Sequence, residues 1–162
     1  MRLELKELLV KTAKDLGVQL GNDHLDKFEK YLELIQEYNQ RLNLTSIKDE
    51  EGIVVKHFLD SLAGDRFLKS GWFIADLGSG IGCPGIPLKI ARPSLRVILI
   101  ESNHKKSAFI NQVIRALGLE NIRAIAHNAE DRNFQSGLAR QLDAVLARAF
   151  GTLYKITKVA SP

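Results

Sequence analysis

The chain has 162 residues, 45% hydrophobic and 26% charged, with a formal net charge of +4. This length and composition indicate a globular protein with one sizeable core, and they exclude a membrane span, which needs about 18 consecutive apolar residues, while the mixed charges of the first residues indicate no secretory signal. The small basic excess is compatible with a nucleic-acid partner but does not require one.

The first part of the chain predicts helices. A first helix is expected to stop at Gly17, and Asn22 or Asp23 is expected to cap a second helix that ends in the polar turn 38–45. A third helix is expected over 53–62, because the acidic residues 49–51 suit the positive end of its dipole. Helical spacing on the first two helices is carried by Leu5, Leu8, Leu9, Ala13, Leu16 and by Leu25, Phe28, Leu32 and Ile35.

From Trp72 onward, short apolar runs alternate with helical patterns. Strands are expected at 73–77, 97–100, 122–126 and 142–147, and helices at 86–91 and 105–117, with Gly118 ending the second of these. This alternation predicts an α/β fold with a parallel sheet and helices on both faces. We therefore expect an N-terminal helical cap, residues 1–68, and an α/β domain, residues 69–162. Its fourth strand would lie at an open edge, which predicts that further strands are missing.

A glycine-rich turn follows the first expected strand. Asp76 ends that strand, and Gly78, Gly80, Gly82 and Gly85 follow it. Such glycines let the backbone turn sharply and approach a ligand closely. From Gly80 the pattern fits a dinucleotide fingerprint, and from Asp76 it fits a loop that binds S-adenosylmethionine. A plain strand-to-helix turn is the third alternative.

The chemistry of the two cofactors favours S-adenosylmethionine. A pyrophosphate is held by amide groups at a helix start and is repelled by a nearby carboxylate. Asp76 instead suits a cofactor that carries an ammonium and a sulfonium group. Glu101, at the end of the second strand, does not discriminate, because both cofactors offer ribose hydroxyls there. If Asp76 and Glu101 do not bind a ligand, we expect Asp76 to cap turn amides and Glu101 to pair with Lys105 at the surface.

Several motifs together resemble the GidB/RsmG family, which methylates N7 of a guanine in 16S ribosomal RNA. The resemblance implies a Rossmann-like class I fold, S-adenosyl-L-methionine as cofactor, and the small ribosomal subunit as partner of a cytoplasmic monomer. Its single cysteine fits that compartment. The resemblance covers the chain from about Leu25. The motifs are Tyr38–Asn39 and Asn43–Thr45, Lys56–Leu62, Asp76–Gly80, Pro84–Leu88, Glu101–Ser102, Lys105–Lys106, Phe109, Ala129–Glu130 and Ala147–Phe150.

The resemblance also implies which residues bind the cofactor. It adds Gly78 and Cys83 in the loop, Ala129 and Glu130 after the third strand, and Arg148 after the fourth. Cys83 replaces a commonly apolar residue, and we interpret it as a small apolar wall. The stretch 131–141 looks longer than is usual in the family. Possible RNA-contacting residues are Lys105, Lys106 and Arg148.

No catalytic side chain or metal site is expected. The four histidines His24, His57, His104 and His127 lack metal-site spacing. Guanine N7 has a free lone pair and no proton to lose, so alignment and electrostatic support suffice. We expect a structural hydrogen bond for His57 with Asp60, and Asn39 and Asn43 to brace the cap. The alternatives are a methyltransferase for another substrate, an inactive nucleotide- or RNA-binding fragment, and, last, a dinucleotide oxidoreductase.

Overall fold

The computed structural model describes residues 1–129 and 141–148. Within these ranges no helix is long and apolar enough to cross a membrane. The cap contains α1 (Leu3–Asp15), α2 (Asn22–Leu42), α3 (Glu50–Ile53), a π-helical segment (Val54–Leu59), α4 (Asp60–Leu62) and a 3-10 turn (Asp65–Phe67). The sheet region contains β1 (Phe73–Leu77), α5 (Gly85–Ala91), β2 (Arg96–Glu101), α6 (His104–Ala116), β3 (Ile122–Ala126) and β4 (Ala144–Ala147).

The four strands form a parallel sheet in the order β3-β2-β1-β4. Parallel neighbours need crossover connections, and the helical patterns between the first three strands supply them. The predicted parallel α/β sheet is therefore confirmed, and β4 is the outer strand next to β1 in the described part. The strand and helix bounds differ from the predicted ones by at most two residues from β1 onward.

The core lies mainly between the cap and one face of the sheet. Val97 and Leu99 point into a large cluster that also contains the buried sides of α1, α2, α5 and α6. Ala75 and Ile98 face the opposite side, where a smaller cluster includes Ala129. Within the described residues, the helices pack on the first face. One core extends from the cap to the sheet, so the packing does not mark a boundary between two domains. The division between residues 68 and 69 stays a prediction.

The structure corrects three details of the expected helices. α2 begins at Asn22, so Gly21 is the cap residue, and its N–H donates to His24 Nδ1 at 2.9 Å. α2 also continues into the predicted turn 38–45 as far as Leu42 and ends where Asn43 adopts a left-handed φ of 47°. Leu8, expected on the apolar face of α1, is 36% exposed. A polar side chain is expected to cap α2. The cap residue is instead a glycine with extended backbone geometry, and the histidine three residues later accepts its N–H.

An aromatic cluster joins α2 to the π-helical segment. The ring of Phe58 lies 5.1 Å from that of Phe28 and 5.2 Å from that of Tyr31, centroid to centroid. All three rings are fully buried. A further bridge runs from the cap to the end of α5, where Arg92 donates two hydrogen bonds to the Asp65 carboxylate at 2.8 and 2.5 Å. These contacts fix the cap against the sheet.

We predict that Phe58→Ala lowers the free energy of unfolding by about 3–5 kcal/mol, because it leaves a cavity among fully packed rings. Urea denaturation followed by circular dichroism measures this change. Phe67→Ala is the control: this ring is 67% exposed, so its loss should cost at most about 1 kcal/mol. Equal effects for both variants would contradict a cap core built on Phe58.

Candidate functional site

The predicted site residues meet at the carboxyl ends of the strands. In β1, Asp76 is paired with Leu99 of β2 on one side and with Leu146 of β4 on the other. Glu101 is the last residue of β2, and Arg148 directly follows the last residue of β4. The structure therefore brings Asp76, Glu101 and Arg148, which are far apart in sequence, to one edge of the sheet. This is the edge at which α/β folds bind their ligands.

The loop from β1 to α5 needs glycine. Gly78, Gly80 and Gly82 have φ values of 65°, 62° and 102°, in the left-handed region that favours glycine. A Cβ on Gly82 would lie 2.5 Å from Ile86 Cδ1 and 3.1 Å from Tyr31 Oη. A side chain has no room there, so the loop packs tightly against α5 and α2.

Asp76 is fully buried, and its two carboxylate oxygens differ in their hydrogen bonding. Oδ2 accepts a hydrogen bond from the Gly85 N–H at 2.9 Å, so the expected capping role is real. Oδ1 is buried and has no hydrogen-bond partner among the described residues. Burial raises the pKa of Asp76 to about 7, against the effects of the Gly85 bond and the Arg148 charge. A buried oxygen without a partner is costly, which makes it a candidate for contact with a cationic ligand.

Glu101 holds the loop from the neighbouring strand. Oε2 accepts from the Gly80 N–H at 2.8 Å, and Oε1 accepts from the Asn103 N–H at 2.8 Å. The side chain is buried, so the alternative of a surface pair with Lys105 is wrong. Each carboxylate oxygen can accept a second hydrogen bond, so Glu101 can brace the loop and still accept from a ligand hydroxyl.

Arg148 connects the end of β4 to the cap. Its Nη1 donates to the backbone oxygen of Lys56 at 2.7 Å and to Asp60 Oδ2 at 2.9 Å, and its Nη2 lies 2.9 Å from His57 Nδ1. The side chain is 29% exposed. A guanidinium has five N–H donors, and three of them have an acceptor among the described residues, so Arg148 is a candidate for contact with a ligand or with RNA.

The family motifs of the cap converge on this arginine. His57 Nε2 lies 3.1 Å from Thr45 Oγ1. The Thr45 N–H donates to Asn39 Oδ1 at 2.9 Å, and Asn39 Nδ2 donates to the Thr45 oxygen at 3.0 Å. The expected bracing by Asn39 is thus present. The expected hydrogen bond between His57 and Asp60 is replaced by separate bonds: His57 contacts Thr45 and Arg148, and Asp60 accepts from Arg148. Burial, reinforced by the Arg148 charge, lowers the pKa of His57 to about 4.

Tyr31 is a site residue that sequence reasoning missed. Its hydroxyl donates to the Ile81 backbone oxygen in the glycine loop at 2.7 Å and lies 3.5 Å from Cys83 Sγ. Tyr31 follows Phe28 by three residues on α2, so helical spacing placed it on the buried face. Nothing local indicated that its hydroxyl reaches a loop 50 residues later.

The remaining predicted residues have mixed outcomes. Cys83 is buried, which raises the pKa of its thiol to about 11 and keeps it protonated at neutral pH. Ala129 is buried beside β1 and β2. Lys105 is exposed and Lys106 half-buried in the first turn of α6, where Asn103 Oδ1 accepts from both backbone N–H groups. Glu130 lies outside the described residues.

Comparison with known proteins decides the family. Residues 24–162 match the family described as rRNA small subunit methyltransferase G, GidB. The chain belongs to this family. Proteins of that name from Acetivibrio thermocellus and Pelotomaculum thermopropionicum are 37% and 41% identical to it, over 99% and 98% of the chain. The chain spans 66% and 67% of the length of these two relatives.

Solved methyltransferases share the fold of this family member. A protein-L-isoaspartate O-methyltransferase is 15% identical, with a TM-score of 0.56 over 88% of this chain and 47% of that one. A coclaurine N-methyltransferase bound to N-methylheliamine and SAH is 16% identical, with a TM-score of 0.54 over 98% of this chain and 55% of that one. The expected Rossmann-like class I methyltransferase fold is confirmed.

We predict that Tyr31→Phe loosens the glycine loop. The variant leaves the Ile81 oxygen buried without its donor, which should lower the free energy of unfolding by about 1–3 kcal/mol. It should also weaken binding of S-adenosylhomocysteine, measured by isothermal titration calorimetry. Tyr38→Phe is the matched control, since the Tyr38 ring packs on Phe109 outside the loop. Unchanged stability and affinity in Tyr31→Phe would show that the hydroxyl does not brace the loop.

We predict a pH-dependent penalty from Asp76. Its pKa is raised from 3.8 to about 7 in the folded protein, so folding favours the protonated form, and this contribution to stability is lost as pH rises from about 4 to about 7. Asp76→Asn keeps an acceptor for Gly85 and cannot ionise. The stability of the wild type relative to Asp76→Asn should therefore fall with pH over that window in urea denaturation. Asp143→Asn, at an exposed carboxylate that accepts from the Phe73 N–H, is the control. A pH-independent difference would contradict the raised pKa.

Proposed function

We propose that this protein transfers the methyl group of S-adenosyl-L-methionine to N7 of a guanine in 16S ribosomal RNA. The observation that carries the proposal is the meeting of Asp76, the glycine loop, Glu101 and Arg148 at one sheet edge in a chain of the rRNA small subunit methyltransferase G family. Because the chain spans about two thirds of its relatives, the activity is proposed for the whole protein.

The described residues fit the cofactor. Asp76 Oδ1 is buried without a partner and can accept from an ammonium group, directly or through a water. Gly78 and Gly80 keep the loop free of side chains where the cofactor would lie, and Glu101 retains acceptor capacity for ribose hydroxyls. We propose that Gly82, Cys83, Ala129, Glu130 and Arg148 complete this site. The cofactor, when bound, supplies an electrophilic methyl carbon on a sulfonium.

The protein itself contributes alignment more than acid–base chemistry. Guanine N7 attacks through a lone pair in the ring plane, so no side chain has to remove a proton. Among the described residues, three of the five N–H groups of Arg148 have an acceptor, and the other two can bond to oxygens of the RNA, which would orient the base. Lys105 and Lys106, at the start of α6, are proposed to contact phosphate groups.

The partner is proposed to be the small ribosomal subunit or its 16S RNA. Such a substrate places the protein in the bacterial cytoplasm, where we propose that it acts as a monomer. The modest positive charge of +4 suits a polyanionic partner.

Binding of S-adenosylhomocysteine is the first test. Isothermal titration should give micromolar affinity for the wild type and no binding for Gly78→Asp, which adds a side chain and a negative charge where φ is 65°. Gly64→Ala is the control, because Gly64 has an ordinary helical backbone and its added Cβ would come no nearer than 3.4 Å to the Ser61 oxygen. Tighter binding of NAD than of S-adenosylhomocysteine would contradict the cofactor assignment.

Methyl transfer is the second test. Radiolabelled S-adenosylmethionine is incubated with the protein and with undermethylated small ribosomal subunits, and nucleosides are analysed by mass spectrometry. The proposal expects label in 7-methylguanosine of 16S RNA. Label in another nucleoside, in protein or in a small molecule would assign another substrate, and cofactor binding without any transfer would favour a binding module.

A further inference from the structure

A chain of hydrogen bonds runs from the cap to the guanidinium of Arg148. It starts at Asn39 on α2, which holds the Thr45 backbone through two hydrogen bonds. It continues from Thr45 Oγ1 to His57 Nε2 at 3.1 Å and from His57 Nδ1 to Arg148 Nη2 at 2.9 Å. The four residues come from α2, the loop after it, the π-helical segment and the end of β4.

The chemistry of these groups fixes the direction of the chain. A guanidinium has only donors, so Arg148 donates and His57 Nδ1 must accept. The imidazole is therefore neutral with its proton on Nε2, and that proton points at Thr45 Oγ1. Thr45 Oγ1 also accepts from the Ile47 N–H at 3.2 Å, which holds the hydroxyl in place. A protonated His57 would present an N–H to the guanidinium and break the chain.

We propose that His57 and Thr45 are positioning residues that hold Arg148 in place at the methyl-transfer site. This inference rests on the proposed function. Arg148 has a long flexible side chain that would otherwise lose much rotamer freedom when it meets the substrate. The cap removes that freedom in advance, because Lys56, His57 and Asp60 accept from three of its N–H groups. Preorganised donors stabilise a transition state without reorganising during the reaction.

The charges around His57 support a neutral ring at physiological pH. Arg148 approaches His57 from the end of β4, and Asp60 approaches it from α4. Burial, together with the charge of Arg148, lowers the pKa of His57 to about 4. Asp60 is the opposing influence, since its carboxylate favours the charged ring. The chain of hydrogen bonds should hold from about pH 5 upward.

Methyl transfer by matched variants tests the proposal. His57→Ala removes both hydrogen bonds and should lower kcat/KM for methyl transfer about tenfold or more. His57→Gln offers an acceptor and a donor and should restore most of the rate. Thr45→Val should lower kcat/KM and Thr45→Ser should not. His24→Gln is the control, because His24 caps the remote start of α2.

A double-mutant cycle separates positioning from a general structural role. If His57 acts through Arg148, then His57→Ala should cause no further loss in an Arg148→Ala background. Independent, additive losses would overturn the proposal, as would wild-type kcat/KM in His57→Ala. Nitrogen NMR of the wild type should show the neutral Nε2–H form of His57 above pH 5, and the Nδ1–H form would also overturn it. If the wild type itself transfers no methyl group to undermethylated subunits, the proposed function fails, whereas the NMR result still reports on the hydrogen bonds.

Discussion

The site depends on the way the chain leaves β1. Asp76 is buried at the end of that strand, and its Oδ2 accepts the Gly85 N–H, which ties the strand to the start of α5. Between these two points the backbone makes a turn that only glycine can follow at Gly82. The buried carboxylate costs stability, since burial raises its pKa to about 7. A buried carboxylate with an incompletely bonded oxygen and a raised pKa is typical of a binding site rather than of a core.

The cap is part of this site because it contacts the loop and β4 directly. Tyr31 bonds to the loop at Ile81, and the π-helical segment bonds to Arg148. The aromatic cluster around Phe58 packs α2 against the π-helical segment, and these are the two elements that make the contacts. The helical cap thus holds both the glycine loop and Arg148 at the carboxyl ends of the strands.

The proposed chemistry is consistent with the groups found there. Transfer to guanine N7 needs a well-placed donor and acceptor and no proton acceptor, and the described residues supply positioning groups: a glycine loop, two carboxylates bonded to backbone N–H groups, and an arginine held by three partners. The π-helical segment and the start of α4 place Lys56, His57 and Asp60 toward one guanidinium, which a regular pattern of side chains would not reveal. Family membership and local geometry therefore point to the same reaction.

The sequence by itself determined the strands, the helices after β1, the glycine loop and the family, because short apolar runs, helical patterns, glycine at tight turns and short motifs are local signals. Only the tertiary structure decided which partners these residues take. Glu101 bonds to the loop instead of to Lys105, Tyr31 reaches the loop, and His57 turns to Arg148, 91 residues away. Local spacing cannot show such pairings, since they depend on how the cap docks on the sheet. Nor could it place the start of α2, where Gly21 and His24 replace the expected polar cap.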